Sequence, residues 1–357
     1  MEFIKSVIFL VNLTIYPFII MSEVKHPTGF TNLERCIEKE FPVKFLLSEA
    51  DSEQFILILQ NGIVINEGGL ITCNGEIFED TETYKNDQQN LLQKNRNIAE
   101  EPILFFDGKL VVISSPGQEN WYHWLFQVIP RLKIMAESGI KYDKIYINNL
   151  KYSWQRQSLA IVMEKLGIET DSLLLVEGDT IIQATTLIVP SVPFILSKER
   201  KIFPEWLKKF IQNIFFVDDK ENTIKRIYIS RSKAKVRRIA NENELIKFLE
   251  KFGFVALNLE DLSIQDQARY FHNAHIIIGP HGSGFANLIF CRPNISIIEI
   301  DHELDDNNQR SFFKKMAEIM KCNYIPFYVD KVDEENLEND MYVDLESFEK
   351  FLQSKAI

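Results

Sequence analysis

Four cysteines in 357 residues (Cys36, Cys73, Cys291 and Cys322) stand far apart, with no C-x-x-C pair and no histidine-rich partner segment. That spacing argues against a zinc site, implies no disulfide scaffold and leaves buried free thiols as the plain reading. Basic residues are too few to offset the acids: the formal net charge is −11, with no long polybasic block, which argues against a general nucleic-acid binder. There is no internal repeat, no G-x-G-x-x-G dinucleotide fingerprint, no P-loop lysine and no D-x-D at a strand end. Metal dependence is therefore not indicated. No uninterrupted apolar run reaches the ~20 residues that span a bilayer. Phe3 to Met21 comes closest, but it carries Lys5, Asn12, Thr14 and Pro17, and no A-x-A-like cleavage site follows it. A signal anchor, a peripheral membrane contact and a first buried element all remain open for residues 1–22.

What is present is ordinary for a globular protein, 46% apolar and 25% charged, with 27 Phe supplying core volume. The length suits two domains. Residues 55–113 read as β-rich and punctuated by hairpin turns at Asn61-Gly62, Asn74-Gly75 and Asp107-Gly108. Glu82 to Glu101 is polar and reads as a surface excursion. From Ser114 the style changes. Asn120 to Gly139 reads as an amphipathic helix broken or kinked near Pro130. Strand 144–147, helix 153–166 capped by Gly167, and strands 173–176 and 186–189 then alternate as in a largely parallel α/β sheet. A helix at 203–216 leads to the charged stretch Asp218 to Asn222, where we place a domain boundary, giving 23–217 and 218–357. A second α/β series follows, with strands expected at 226–230, 254–257, 276–278, 297–300 and 324–328. Its helices are expected at 242–252, 263–272, 311–320 and 345–352, with one more from Ser283.

Three stretches carry chemistry. Ile276 to Ile278 runs into Gly279-Pro280-His281-Gly282-Ser283-Gly284, a glycine turn that opens a helix, where backbone N–H groups favour an anion such as a phosphate. A structural turn also explains the glycines, although a turn needs no imidazole. Glu299 is expected at the end of the next strand, able to accept from sugar hydroxyls or to serve a structural role. Asp301-His302-Glu303 and Asp305-Asp306 offer acidic ligands for a divalent metal, but read more as an exposed acidic loop. The second stretch, Tyr228 to Arg238, ends a strand in a cationic loop whose guanidiniums suit phosphate, or which is simply solvated. The third, Asn120-Trp121-Tyr122-His123-Trp124-Leu125-Phe126-Gln127, puts His123 and Gln127 on one helix face among aromatic rings. A partly desolvated imidazole there stays neutral, as a general base must, unless the helix is only core packing.

Together, NWYHWLFQVIPRL at 120–132, RIYISRSKAKVRRIANENEL at 226–245 and IIIGPHGSGFANLIFCRPNISIIEI at 276–300 resemble glycosyltransferase family 61, whose bacterial members act on capsule and other surface glycans. The resemblance implies a GT-B fold, two Rossmann-like domains facing a cleft, and an inverting transfer without an obligate metal or other cofactor. By position, Arg231 would meet the donor diphosphate, and His281, Gly282, Ser283 and Gly284 would form the loop under the nucleotide. Asn287 and Glu299 would complete that pocket. His123 would be the base, with Asn120, Trp121, Tyr122, Trp124 and Gln127 on the acceptor side. Family members often carry Asp four residues after that histidine, where this chain has Gln127, an amide that cannot take a proton. The implied partners are a nucleotide-sugar, UDP-linked by default, and a glycan acceptor. The implied location is the cytoplasm or its membrane face, or a Golgi or ER membrane if the host is eukaryotic. A non-catalytic nucleotide-sugar or glycan binder, and a membrane-associated scaffold of a glycan assembly complex, are the alternatives.

Overall fold

A computed structural model of the protein describes residues 29–31, 43–46, 54–65, 70–73, 76–78, 103–115, 117–148, 150–176, 178, 180–192, 204–215, 224–302, 312–329 and 340–357. The apolar N-terminal run, the 82–101 excursion and the 218–222 boundary lie outside the described residues. Helices and two sheets make a mixed α/β protein.

The first sheet holds β1 (Gly29–Thr31), β2 (Val43–Leu46), β3 (Gln54–Gln60), β4 (Ile63–Ile65), β5 (Leu70–Cys73), β6 (Glu76–Phe78), β7 (Ile103–Val112), β8 (Lys144–Asn148), β9 (Leu173–Val176) and β10 (Ile181–Pro190). Its order is β1-β6-β5-β4-β10-β7-β8-β9, with β3 on β10 and β2 on β3. The stretch β10-β7-β8-β9 is parallel. Helix Ser153–Leu166 crosses from β8 to β9 and stops at Gly167, whose left-handed φ of 65° suits glycine at a helix C-terminus.

Two of the three expected hairpins are absent. β3 and β4 both run antiparallel to β10 in one register, Gln60 opposite Thr186 and Ile63 opposite Gln183, so the chain passes straight through Asn61-Gly62. Asn61 takes the left-handed region, φ 54°, while the ladder continues through Asn61 N to Thr185 O and Ala184 N to Gly62 O, each 3.0 Å. Gly62 is needed for close approach, since a Cβ there would sit 2.7 Å from Leu187 Cβ. Asp107-Gly108 likewise lies within β7, where the register to β10 slips by one residue between Ala184 and Thr186. It forms a bulge rather than a turn. The Asn74-Gly75 expectation fits its flanks: β5 and β6 pair antiparallel with Cys73 opposite Glu76.

The second sheet contains β11 (Arg226–Ile229), β12 (Val255–Leu257), β13 (Ile276–Pro280), β14 (Ser296–His302) and β15 (Asn323–Val329). All its pairs are parallel, in the order β12-β11-β13-β14-β15. Numbered within the sheet this is 2-1-3-4-5, a doubly wound order whose switch point lies between β11 and β13. Isoleucine runs in β13 and β14 are buried on both faces, as parallel strands under helices must be. One apolar cluster includes Val111 and Ile145 of the first sheet with Ile227, Ile277 and Ile297 of the second. The last helix, Leu345–Ser354, covers the other face of the second sheet through Phe348, which packs 4.7 Å from Phe327.

Two local expectations change. The segment opened by Ser283 is a 3-10 helix, Ser283–Phe290, rather than an α-helix. Asp301 and His302, expected in an exposed acidic loop, are the buried end of β14.

Candidate active site

β7 ends at Val112, and Ser114, Ser115 and Gly117 lead into the His123 helix. Asn120 caps it, its Oδ1 accepting from Tyr122 N at 2.9 Å. Trp121–His123 is α-helical, Trp124–Val128 is a π-turn, and Ile129–Ser138 resumes as α-helix. The break expected near Pro130 thus precedes the proline. Pro130 has no N–H to offer the carbonyl four residues back, and the Ile129 N–H reaches Trp124 O instead, widening the turn.

That widened turn holds a specific pair. His123 Nδ1 lies 2.6 Å from Gln127 Oε1. A carbonyl oxygen only accepts, so Nδ1 carries the proton and Nε2 keeps its lone pair. Burial lowers the His123 pKa, partly opposed by the Gln127 hydrogen bond. The result is an imidazole held neutral with a basic nitrogen. Gly117, at φ 74°, packs on the ring, with a hypothetical Cβ only 3.1 Å from His123 Cδ2.

The glycine turn follows β13, beside the C-terminal end of β11, at the switch point of the second sheet. Arg231 follows β11. Its Nε donates to Arg237 O at 3.1 Å and its Nη2 to Val236 O at 3.0 Å, which brace the guanidinium against the glycine turn. Gly282 is required by that approach and not by its extended backbone, because a Cβ would lie 2.8 Å from Arg231 Cζ. The first intrahelical bond of the 3-10 helix runs from Phe285 N to Gly282 O, 3.0 Å, so the Ser283 and Gly284 N–H groups precede it. Gly284 in turn allows contact with β11, a Cβ there meeting Ile229 Cγ2 at 3.2 Å. The rest of the basic loop is partly structural: Arg238 pairs with Asp340 and Lys233 with Asp261.

His281 Nδ1 donates to Glu299 Oε1 at 2.7 Å, and Asp301 Oδ2 lies 3.5 Å away. Tyr324 donates its phenol to the other Glu299 oxygen. Burial, with Glu299 beside it, drives the Tyr324 pKa upward, so the phenol keeps its proton. Glu299 sits inside β14 opposite Gly279, not at the strand end as expected, and is 2% exposed. Its two oxygens are taken up by His281 and Tyr324. Asn287 is also wholly buried; it accepts from Trp121 Nε1 at 3.2 Å and donates to Gln267 Oε1 at 2.8 Å. It straps the His123 helix to the segment after the glycine turn. Trp124 is fully enclosed, its Nε1 donating to Ser158 Oγ at 2.8 Å, which puts it in the core.

A line of rings joins the two clusters. His123 stands 5.0 Å from Tyr122, Tyr122 4.6 Å from Phe312, Phe312 5.3 Å from Phe313 and Phe313 5.4 Å from His281. Helix Phe312–Ile319 is the wedge that supplies its centre. Sequence reasoning missed Tyr324 and Glu242, and put Asp301 in an exposed loop. Glu242 Oε1 accepts from Arg231 N at 3.0 Å and from the Tyr228 phenol at 2.9 Å, fixing the start of the basic loop. Its only signal is an acid in the first turn of a helix. Among the described residues, no group of three or more His, Cys, Asp or Glu could hold a metal ion. Among them, too, no helix is long and apolar enough to cross a membrane.

The sequence model of Glycosyltransferase 61 matches residues 121–298, the span from the His123 helix to β14. The chain belongs to the glycosyltransferase 61 family. It is similar to the EGF domain-specific O-linked N-acetylglucosamine transferase of Canis lupus familiaris, 31% identical over 93 residues, 25% of this chain and 18% of the relative. The protein of the same description from Drosophila melanogaster is 31% identical over 107 residues, 29% of this chain and 20% of the relative. The match spans about a fifth of the length of these curated relatives.

Proposed function

We propose that the protein is an inverting, metal-independent glycosyltransferase of GT-B architecture. It moves a sugar from a nucleotide-sugar, UDP-linked, to a hydroxyl of a glycan acceptor in polysaccharide or glycoconjugate assembly. The observation that carries this reading is the His123–Gln127 pair, with Nδ1 to Oε1 at 2.6 Å. It supplies a neutral base in the one place where the family pattern's carboxylate is missing. Support for the donor side comes from Arg231 braced against Gly282, beside the first-turn N–H groups of Ser283 and Gly284.

The step is a single displacement. The acceptor hydroxyl passes its proton to His123 Nε2 while its oxygen attacks the anomeric carbon from the face opposite the leaving group. The bond from that carbon to the diphosphate oxygen breaks, and the nucleoside diphosphate leaves with the electron pair. Arg231 and the backbone N–H groups meet the developing charge, a task that falls to a divalent cation in many transferases. Release of nucleoside diphosphate from a panel of UDP-sugars tests the reading. Wild type turns over one donor in the presence of EDTA, and His123→Gln binds that donor with turnover reduced about 100-fold or more. Undiminished turnover in His123→Gln would remove it as the base.

A further inference from the structure

The loop after β8 carries an aromatic platform with no part in the proposed chemistry. Tyr152 is 41% exposed and stacks on Trp154, with centroids 5.5 Å apart and planes 9° from parallel. Trp154 meets Trp121 edge to face at 5.3 Å, and Trp121 is the residue tied to Asn287. Polar bonds fix the platform to the loop that supports His123. Gln155 accepts from Tyr152 N at 3.0 Å and donates to Gln118 O at 3.1 Å, and Lys151 pairs with Glu119. Gly117 at the start of that loop packs on the His123 ring.

We infer that the outer face of Tyr152, backed by Trp154, is a stacking subsite for a pyranose ring of the acceptor glycan. A pyranose has one flat face of C–H groups and a rim of hydroxyls. It therefore fits a rigid, open aromatic face bordered by hydrogen-bonding heads, and Lys151, next to Tyr152 in the chain and paired with Glu119, provides such a border. A ring already stacked on a second ring gives up little freedom when a sugar lands on it. A protein-binding hot spot would bury such a pair at the centre of a wider apolar patch, whereas the neighbours of Tyr152 at 151 and 153 are exposed and polar. The location beside the His123 loop makes this the acceptor side. The acceptor assignment rests on the proposed transferase reading, while the stacking subsite is testable without it.

The test uses the full chain and saturation-transfer NMR with unmodified cellobiose, xylobiose, chitobiose, lactose and maltose. The thermal shift caused by UDP is measured in parallel. Wild type binds at least one disaccharide; Tyr152→Ala weakens that binding about tenfold, and Tyr152→Phe, which keeps the ring, retains it. The UDP shift is the same in all three proteins. Failure of every disaccharide to bind wild type, or binding indifferent to Tyr152→Ala, overturns the subsite. If UDP gives no shift in wild type while disaccharide binding still depends on Tyr152, the donor reading fails and the stacking subsite stands.

Discussion

Gln127 Oε1 accepts the Nδ1 proton of His123 at 2.6 Å. The amide cannot be a base, but it fixes the tautomer that lets its neighbour be one. Burial lowers the His123 pKa below its ordinary 6.5. The neutral ring is the active form, so kcat/KM is expected to be flat at neutral pH and to fall only below pH 6.5, as the ring protonates. The same shift destabilises the fold in acid, because the unfolded imidazole takes its proton at higher pH than the folded one. Stability therefore drops as pH falls from the ordinary value through the lowered one. A pH–rate profile with a donor and acceptor in hand checks the first point, and denaturation across the same range checks the second.

Substitutions at Gln127 separate orientation from charge. Gln127→Ala frees the ring and is expected to lower kcat with little change in donor KM. Gln127→Glu keeps an acceptor at Nδ1 and adds a negative charge, which stabilises the imidazolium and moves the acid limb of the profile upward. An unmoved limb in Gln127→Glu contradicts the contact.

Gly282→Ala tests the packing of Arg231 without straining the backbone, whose φ of 165° any residue adopts. The new Cβ takes the space of the guanidinium, with Cζ only 2.8 Å away. UDP affinity is expected to fall at least tenfold, on the order of 1.4 kcal/mol, while the melting temperature stays close to wild type. Titration calorimetry and a melting curve read both.

Ser158→Ala is the contrasting case. It leaves the buried Trp124 indole N–H without its partner, at a cost of about 1–3 kcal/mol of stability. Turnover at a temperature where the variant is folded is expected to match wild type, which would place Trp124 in the core rather than in the acceptor site.

Glu299→Gln and Tyr324→Phe probe the buried support of His281. Each loosens one contact of the His281–Glu299–Tyr324 chain, in which Glu299 is buried between the imidazole and the phenol. Weaker UDP binding with an unchanged pH profile is expected from both, since the base lies in the other cluster.

Much of the second sheet was legible because its central strands, β13 and β14, are short isoleucine-rich runs cut by polar loops, a pattern that buried parallel strands share. Helix 153–166 was legible to the residue because glycine at 167 ends it in a way few other residues can. Asn61-Gly62 misled for a physical reason: the left-handed φ and missing side chain that make a tight turn also let a strand continue past a crowded Leu187. Asp301 and His302 misled because charge suggests solvent, whereas Asp301 faces His281 and both residues are buried at the end of β14. Glu299 was found but misplaced; period-two reasoning puts it in a strand and cannot say that its partners are an imidazole and a phenol. Trp124 and Asn287 carried the family pattern, yet both are enclosed, so that pattern mixes packing with chemistry.

Titration of UDP into wild type and Arg231→Ala, each in EDTA, tests the metal-independent donor site most directly. A single site is expected in wild type without metal, weakened at least tenfold when the guanidinium is removed. Binding that appears only with a divalent cation, binding indifferent to Arg231, or no binding at all would contradict it.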